Sequence, residues 1–388
     1  MPIVYSGVQY SGIWTMQQVN AAIAAGTWPL PQQPYLYSWG NNSNGGLGLG
    51  NQTAYSSPKQ VGSLSTWIQI SAGGYNTSGA IKSDGTLWTW GYNSDGQLGL
   101  GNRTSYSSPK QVGALTNWAQ VSVGRYYGIG AIKTDGTLWL MGAGSYGQNG
   151  QGSLTPFSSP KQVGSLTNWA KIQVANAGVR AIKTDGTLWT WGFNSGGSLG
   201  TNNNTQYSSP VQVGSLSNWS QISAVINSTF AIKTDGTLWA WGTNNTGQLG
   251  LGNVTNYSSP KQVGALTSWI AIAAGYQFSL ALKSDGTLWS WGQNNNGQLG
   301  IGNIYYYSSP KQVGSLTNWL KISGGYFNST AIKSDGTLWT WGYNASGQLG
   351  IGNRTSYSSP KQVGSLATWT TLSTYGGNPS HVIAIAVT

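Results

Sequence analysis

Seven aspartates and one histidine supply every side-chain carboxylate and imidazole in this chain of 388 residues, and their spacing argues against a catalytic use. Glu and Cys are absent, and six of the seven acids (Asp84, Asp135, Asp185, Asp235, Asp285 and Asp335) recur at intervals of 50 or 51 residues, each followed by Gly-Thr. Hydrolysis by paired carboxylates needs two acids in one cleft, whereas acids at equivalent repeat positions stand a whole repeat apart. The seventh, Asp95, lies in Asn93-Ser94-Asp95-Gly96 and reads as a surface loop residue, because a calcium site would call for several oxygens from clustered acids. His381 has no Cys, Glu or second His to act with, so neither a catalytic triad nor a zinc site can be built around it. The recurring Gly-Gln-Leu-Gly-x-Gly lacks the Lys-Ser/Thr of a phosphate-binding loop and opens no helix. No catalytic residue, metal ligand or cofactor is expected, and the chain is read as a non-enzymatic binding or structural protein.

What the chain holds in quantity is aromatic surface, with 21 Trp and 21 Tyr beside 58 Gly. Most of the tryptophans repeat. Tyr75, Arg125, Tyr126, Tyr276, Phe278, Tyr326 and Phe327 do not; they stand where equivalent segments carry Asn, Ala or Gly, and Tyr305 and Tyr306 stand out in the same way at a second position. Rigid aromatics with small polar neighbours are the composition of a recognition surface. The formal charge of +11 favours anionic partners without choosing among them, and no specific nucleic-acid motif accompanies it.

The elements that must position these residues follow from the repeat. Ser-Ser-Pro occurs seven times, with its proline at Pro58, Pro109, Pro160, Pro210, Pro260, Pro310 and Pro360, and a tryptophan follows each, from Trp67 to Trp369. Each repeat divides into four short strands: Trp-x-x-Ile (A), Ala-Ile-Lys (B), Thr-Leu-Trp-x-Trp-Gly (C) and Pro-Lys-Gln-Val (D). Asp-Gly between B and C predicts a tight hairpin whose turn takes a residue tolerant of positive φ and then glycine. Along C, Trp88 and Trp90 share one face while Leu87 and Thr89 share the other, so large faces can pack on small ones. One such sheet cannot bury both faces, and seven must close into a ring. The Asp-Gly-Thr turn occurs only six times, and its missing copy marks the closure: residues 369–388 supply A and B, and Leu36-Tyr37-Ser38-Trp39-Gly40 with Pro58–Val61 supply C and D. The expected fold is all-β, a seven-bladed β-propeller over residues 35–388 closed by pairing of N- and C-terminal strands, preceded by an anchor segment, 1–34.

Antiparallel order places the A–B and C–D loops on one rim and the D–A and B–C loops on the other. The second rim is nearly constant in sequence, and the first carries the variable aromatics and arginines. Tyr305 and Tyr306 are expected to lie beside Tyr276 and Tyr326. Lysines 59, 110, 161, 261, 311 and 361 in strand D are read as guards against sheet-to-sheet aggregation.

The pattern Trp-Gly-x-Asn-x-x-Gly-Gln-Leu-Gly-x-Gly at 90–101, 241–252, 291–302 and 341–352 resembles the regulator-of-chromosome-condensation repeat. Two departures are the absence of histidine in Gly275-Tyr276-Gln277-Phe278-Ser279 and Met141-Gly142 in place of Trp-Gly. The resemblance implies a propeller and little about activity. Ahead of the repeats, Thr15 and Gln18 form a capping box, and Met16, Val19 and Ile23 share one face of a short helix that Gly26 and Pro29 end. Trp14 and Trp28 flank it, in a stretch that resembles a Gly-x-Trp-x-x-Gln-Gln … Gly-x-Trp-Pro motif of marine bacteriophage virion proteins. That resemblance implies a virion location, with other virion proteins held through Trp14, Met16, Val19, Ile23 and Trp28, and a host-surface glycan or protein bound by the variable rim. The alternative is a secreted or cytoplasmic protein-binding propeller, an inhibitor or exchange-factor-like scaffold. Neither a signal peptide nor a membrane span is expected, since no apolar run exceeds Ala21-Ala22-Ile23-Ala24-Ala25 in the first thirty residues.

Overall fold

A computed structural model of the chain describes residues 4–5, 8–9, 15–24, 32–125, 128–375 and 381–388. Each repeat forms a four-stranded antiparallel sheet whose strands keep their sequence order. In blade 1 these are A, Trp67–Ala72; B, Thr77–Lys82; C, Leu87–Gly91; and D, Tyr106–Gln111. Strand A of blades 2 to 6 begins at Trp118, Trp169, Trp219, Trp269 and Trp319. Strand D starts at the aromatic residue ahead of Ser-Ser-Pro and stops before the valine expected at its end. Val112, for example, bonds its N–H to the Leu87 carbonyl at 2.8 Å and turns its side chain into the core.

Closure occurs as the missing turn predicts. Blade 7 takes A (Trp369–Leu372) and B (His381–Val387) from the end of the chain, and C (Pro34–Gly40) and D (Tyr55–Gln60) from its beginning. Pairing runs unbroken from Pro34 opposite Val387 to Gly40 opposite His381. Gln33 and Thr388 exchange backbone hydrogen bonds of 3.1 and 3.2 Å where the other blades have their B–C turn. A second seam joins the innermost strands, since Thr374–Tyr375 pairs in parallel with Ser71–Ala72 of blade 1.

The B–C turn itself differs from expectation. Gly85 donates to the Lys82 carbonyl at 2.9 Å and Lys82 donates to Thr86 at 3.1 Å, and Gly85 alone of the Asp-Gly pair has positive φ, 75°. This is a longer turn ending in a left-handed glycine. Aspartate is there for its carboxylate: Asp84 Oδ1 accepts from the Thr86 N–H (3.0 Å) and hydroxyl (2.6 Å), and Thr86 Oγ1 accepts from Trp88 Nε1 (2.8 Å). The turn therefore orients the strand C indole. In blade 2 the adjoining Lys133 ammonium sits 3.8 Å from the Trp139 ring centre and 5.1 Å from that of Trp118, and blades 3 to 6 repeat the sandwich.

Neighbouring blades pack a tryptophan face on a leucine face. Trp67, Trp88 and Trp90 of blade 1 meet Leu36, Val61, Ile383 and Ile385 of blade 7, while Leu87 of blade 1 meets Trp118 and Met141 of blade 2. A polar latch fixes each junction: one carbonyl in a C–D loop accepts from the next blade's strand C indole, as Gln298 does from Trp341 Nε1 (2.9 Å) and Ser329 Oγ (2.7 Å). Met141 leaves that donor out of blade 2 but fills the same buried space. Around the inner ring, side chains cap the free edge of the next strand A, as Ser71 Oγ does for Val123 N–H at 2.9 Å.

His381 is fully buried in the closing strand, 3.1 Å from Ser78 Oγ of blade 1, and burial pushes its imidazole down to about 3 from an ordinary 6.5. The folded state thus favours the neutral ring. Its contribution to stability is whole above pH 6.5 and is lost as pH falls from there toward 3, at no more than about 1.4 kcal/mol per pH unit. The six turn aspartates, held below their ordinary 3.8 mainly by the threonine hydroxyls, weaken the fold only below that pH. The thermal midpoint of the wild type is expected to fall between pH 6 and 4 more steeply than that of His381→Asn, which carries the residue found at the equivalent place in blade 6, Asn328. Equal slopes in the two proteins would remove His381 from the account.

The predicted helix spans Met16–Ala24. Its capping box forms, with Thr15 N–H on Gln18 Oε1 at 2.8 Å and Gln18 N–H on Thr15 Oγ1 at 3.3 Å. Met16 is 74% exposed. Trp14 and Trp28, and the side chains of Val19 and Ile23, lie outside the described residues.

Candidate binding rim

The variable rim consists of two concentric rings of loops. Strand A is innermost in each blade and D outermost, so the A–B loops surround the channel mouth and the C–D loops lie outside them. Backbone bonds tie the rings together, as from Tyr343 N–H to Phe327 C=O and from Gln293 N–H to Gln277 C=O, both 2.8 Å. Six of the seven C–D loops are folded around the buried asparagine of Trp-Gly-x-Asn, which blade 2 replaces with Gly144: Asn344 Oδ1 accepts from Leu349 N–H at 2.9 Å, and its amide donates to the Asn353 and Thr355 carbonyls. The motif makes a rigid platform, and the residues between its fixed positions point outward.

Tyr276, Tyr326 and Phe327 come together. Their ring centres stand 4.7 Å (Tyr276 to Tyr326), 5.4 Å (Tyr276 to Phe327) and 4.1 Å (Tyr326 to Phe327) apart, all three half-buried, across the junction of blades 5 and 6. Tyr75 is half-exposed and packs 5.7 Å from Tyr92, and Arg125 is half-buried on the adjoining blade. Tyr305 (71% exposed) and Tyr306 (46%) belong to the outer ring, and among the described residues no ring contact joins them to the inner cluster. Tyr306 reaches inward only through Gln293, 3.4 Å from its hydroxyl. The C–D loop of blade 5 does adjoin its A–B loop, through Gln293 N–H on Gln277 C=O, but its tyrosines stand one strand pair further from the axis than the inner cluster. Phe278 is a second correction: it is the first residue of its strand B, fully buried in the core between blades 5 and 6, and cannot touch a partner. Tyr126 lies outside the described residues.

Sequence comparison passed over Tyr92, Tyr146, Phe193 and Tyr343. Tyr343 stacks edge-on against Phe327 at 6.3 Å, and Tyr146 meets Phe193 across blades 2 and 3 at 4.9 Å. Three of the four occupy the x of Trp-Gly-x-Asn, a position whose variation was the available signal. Backbone strain gathers on the same rim: Tyr75, Asn76, Asn202, Ile226 and Gln277 adopt positive φ, against Thr66 alone on the other rim among the described residues. For β-branched Ile226 (φ 44°) this is a costly conformation that its surroundings must impose.

Charge divides between the rims as well. The turn lysines and turn aspartates cancel, so the constant rim is neutral, and the whole formal +11 falls elsewhere. It lies on strand D, on Lys171 and Lys321 of strand A, on buried Arg180, and on Arg103, Arg125 and Arg354 of the variable rim, opposed only by Asp95. The sizeable cavities lie away from the variable rim. Slots of about 380 Å³, where Val313, Leu316, Trp319, Trp339 and Pro360 meet, and about 450 Å³, between blades 3 and 4, open at blade junctions, and one of about 530 Å³ opens on the constant rim among Thr234, Asp235, Thr267 and Trp269. The two junction slots are lined by the same residue types, so they follow from the repeat. Among the described residues there is no cluster of three potential metal ligands and no helix long and apolar enough to cross a membrane.

A closed seven-bladed ring with one uniform rim and one diversified rim defines a β-propeller built on a repeated frame. The RCC1-like domain matches residues 35–384, and the chain belongs to that family. Prp20p of Saccharomyces cerevisiae, whose structure is described with its binding to Gsp1p and histones, superposes with a TM-score of 0.80 at 20% identity, over 92% of both chains. Human WBSCR16 does so at 0.80 and 19% identity, over 92% of this chain and 99% of that one. These likenesses show the fold. Among curated proteins, the human probable E3 ubiquitin-protein ligase HERC3 is 32% identical over 167 residues, 41% of this chain and 16% of its own length. The ultraviolet-B receptor UVR8 of Arabidopsis thaliana is 32% identical over 136 residues, 34% of this chain and 31% of its own. The match thus spans less than a third of these relatives.

Proposed function

We propose that this chain is a non-enzymatic protein-binding propeller that presents its variable rim to a partner and keeps the opposite rim as framework. The observation that carries this reading is the asymmetry of the rims: the B–C turns and D–A loops are uniform and neutral on one side, and the A–B and C–D loops are aromatic, basic and locally strained on the other. Uniform drift would have loosened both. One structural neighbour supports it in kind, since Prp20p, the yeast RCC1, is described as binding Gsp1p and histones and as bound by Kap60. Exposed aromatics at this density suit a protein partner, and each true anchor is worth about 2 kcal/mol or more. Tyr305→Ser with Tyr326→Ser is expected to weaken retention of proteins captured on the immobilised chain at least about 30-fold. The control, Leu316→Ser, removes a side chain of similar exposure (46%) from the constant rim and should leave retention unchanged. Quantitative mass spectrometry of retained proteins reads the difference, and equal loss in both variants would defeat the assignment to this rim.

A second reading, a virion adhesin, is favoured by one feature: strand C of blade 7 begins at Pro34 on the constant rim, so the chain enters the propeller on the side away from the variable loops. Removing residues 1–30 should then abolish incorporation into particles while leaving the propeller folded.

A further inference from the structure

Arg180 occupies a place that six other blades fill without charge. It is the third residue of strand B in blade 3 (Gly178–Lys183), where the equivalent residues are Gly79, Gly130, Phe230, Leu280, Thr330 and Ile383. Its side chain is fully buried at the junction with blade 4. Nε–H donates to Thr229 Oγ1 at 3.0 Å, and Nη2 donates to the Ser198 carbonyl at 2.8 Å. That carbonyl already accepts from Thr229 Oγ1 (2.8 Å) and Trp241 Nε1 (3.0 Å), which use both of its lone pairs. Nη1 has no partner at all, and the adjacent Ser198 hydroxyl is likewise buried without one. No acid is at hand: six aspartates lie in the B–C turns of the opposite rim, and Asp95 lies in blade 1. A guanidinium keeps its charge in proteins, and an uncompensated buried charge is strongly destabilising.

We propose that a small monovalent anion of halide size occupies this junction, taking hydrogen bonds from Arg180 Nη1 and the Ser198 hydroxyl and supplying the missing counter-charge. The size limit follows from the burial, which admits no macromolecular carboxylate. Gly178 leaves Nη1 uncovered, since a Cβ there would stand 2.6 Å from that nitrogen and 3.2 and 3.4 Å from the Phe193 and Trp191 carbonyl oxygens. The anion joins strand B of blade 3 to that blade's own C–D loop, beside the Arg180 contact with Thr229 of blade 4, so its binding is linked to folding.

Chloride is the probe, compared at equal ionic strength with gluconate, which is too large to enter. The melting temperature of the wild-type chain is expected to rise by roughly 2 °C per tenfold increase in chloride over gluconate, and Arg180→Leu, which copies blade 5, should lose that increment. Bromide diffused into crystals of the unaltered chain should give an anomalous peak within about 3.5 Å of Nη1. The same chloride increment in Arg180→Leu, or no bromide at the guanidinium, overturns the proposal, and the diffraction arm does not depend on the variant folding.

Discussion

A chain lacking residues 381–388 is expected not to fold. The strand removed is the second of four in blade 7, paired on one side with Trp369–Leu372 and on the other with Pro34–Gly40. Val382, Ile383, Ala384, Ile385 and Ala386 are all at most 1% exposed, and the three larger side chains alone represent about 5–9 kcal/mol of burial. Two neighbouring strands would also lose hydrogen-bond partners inside a sealed ring. Against a typical domain stability of about 5–15 kcal/mol the loss is decisive. Far-ultraviolet circular dichroism and calorimetry of the truncated chain should show no cooperative melt, and a transition at the full-length temperature would mean that closure does not depend on this strand.

Trp341→Ala should be the most damaging single substitution in blade 6. The indole is fully buried between blades 5 and 6 and donates to the Gln298 carbonyl at 2.9 Å. Deleting a buried tryptophan costs about 3–5 kcal/mol, the spread reflecting how far the site collapses. Trp341→Met offers the internal comparison, because Met141 fills the equivalent place in blade 2 at 1% exposure without the hydrogen bond. It should cost about half as much as alanine or less, since Ser329 still satisfies the Gln298 carbonyl at 2.7 Å. Denaturant midpoints for the three proteins decide the matter. Methionine as harmful as alanine would show that the hydrogen bond, rather than the volume, holds the junction.

The ring and its closure were legible in the chain because each depends on short-range pattern multiplied by repetition. Seven Ser-Ser-Pro segments against six Asp-Gly-Thr turns sufficed to place the shared blade, since a sheet with a period of two admits few registers once one face must be buried. The division into two rims followed from strand direction alone, and so did the short capped helix, whose hydrogen bonds join residues three apart. Where the same local reasoning asked which atoms a residue uses, it fell short. Aspartate in the turn was assigned a backbone role, whereas its carboxylate orients a tryptophan four residues on.

The surface, by contrast, was decided in three dimensions. Phe278 and Tyr276 are two residues apart in one variable segment, yet Phe278 opens strand B and enters the core, whereas Tyr276 lies in the turn after strand A and stacks on the next blade. Tyr305 and Tyr276 are both variable aromatics, yet the radial order of strands sets them in different rings. Arg180 was invisible to any motif, because its isolation depends on neutral groups contributed by a neighbouring blade about fifty residues away. Repetition therefore determined the frame from sequence alone, as each repeat meets the same neighbour in the same way. The departures from repetition, which make the candidate sites, take their meaning from contacts between blades that only the closed ring brings together.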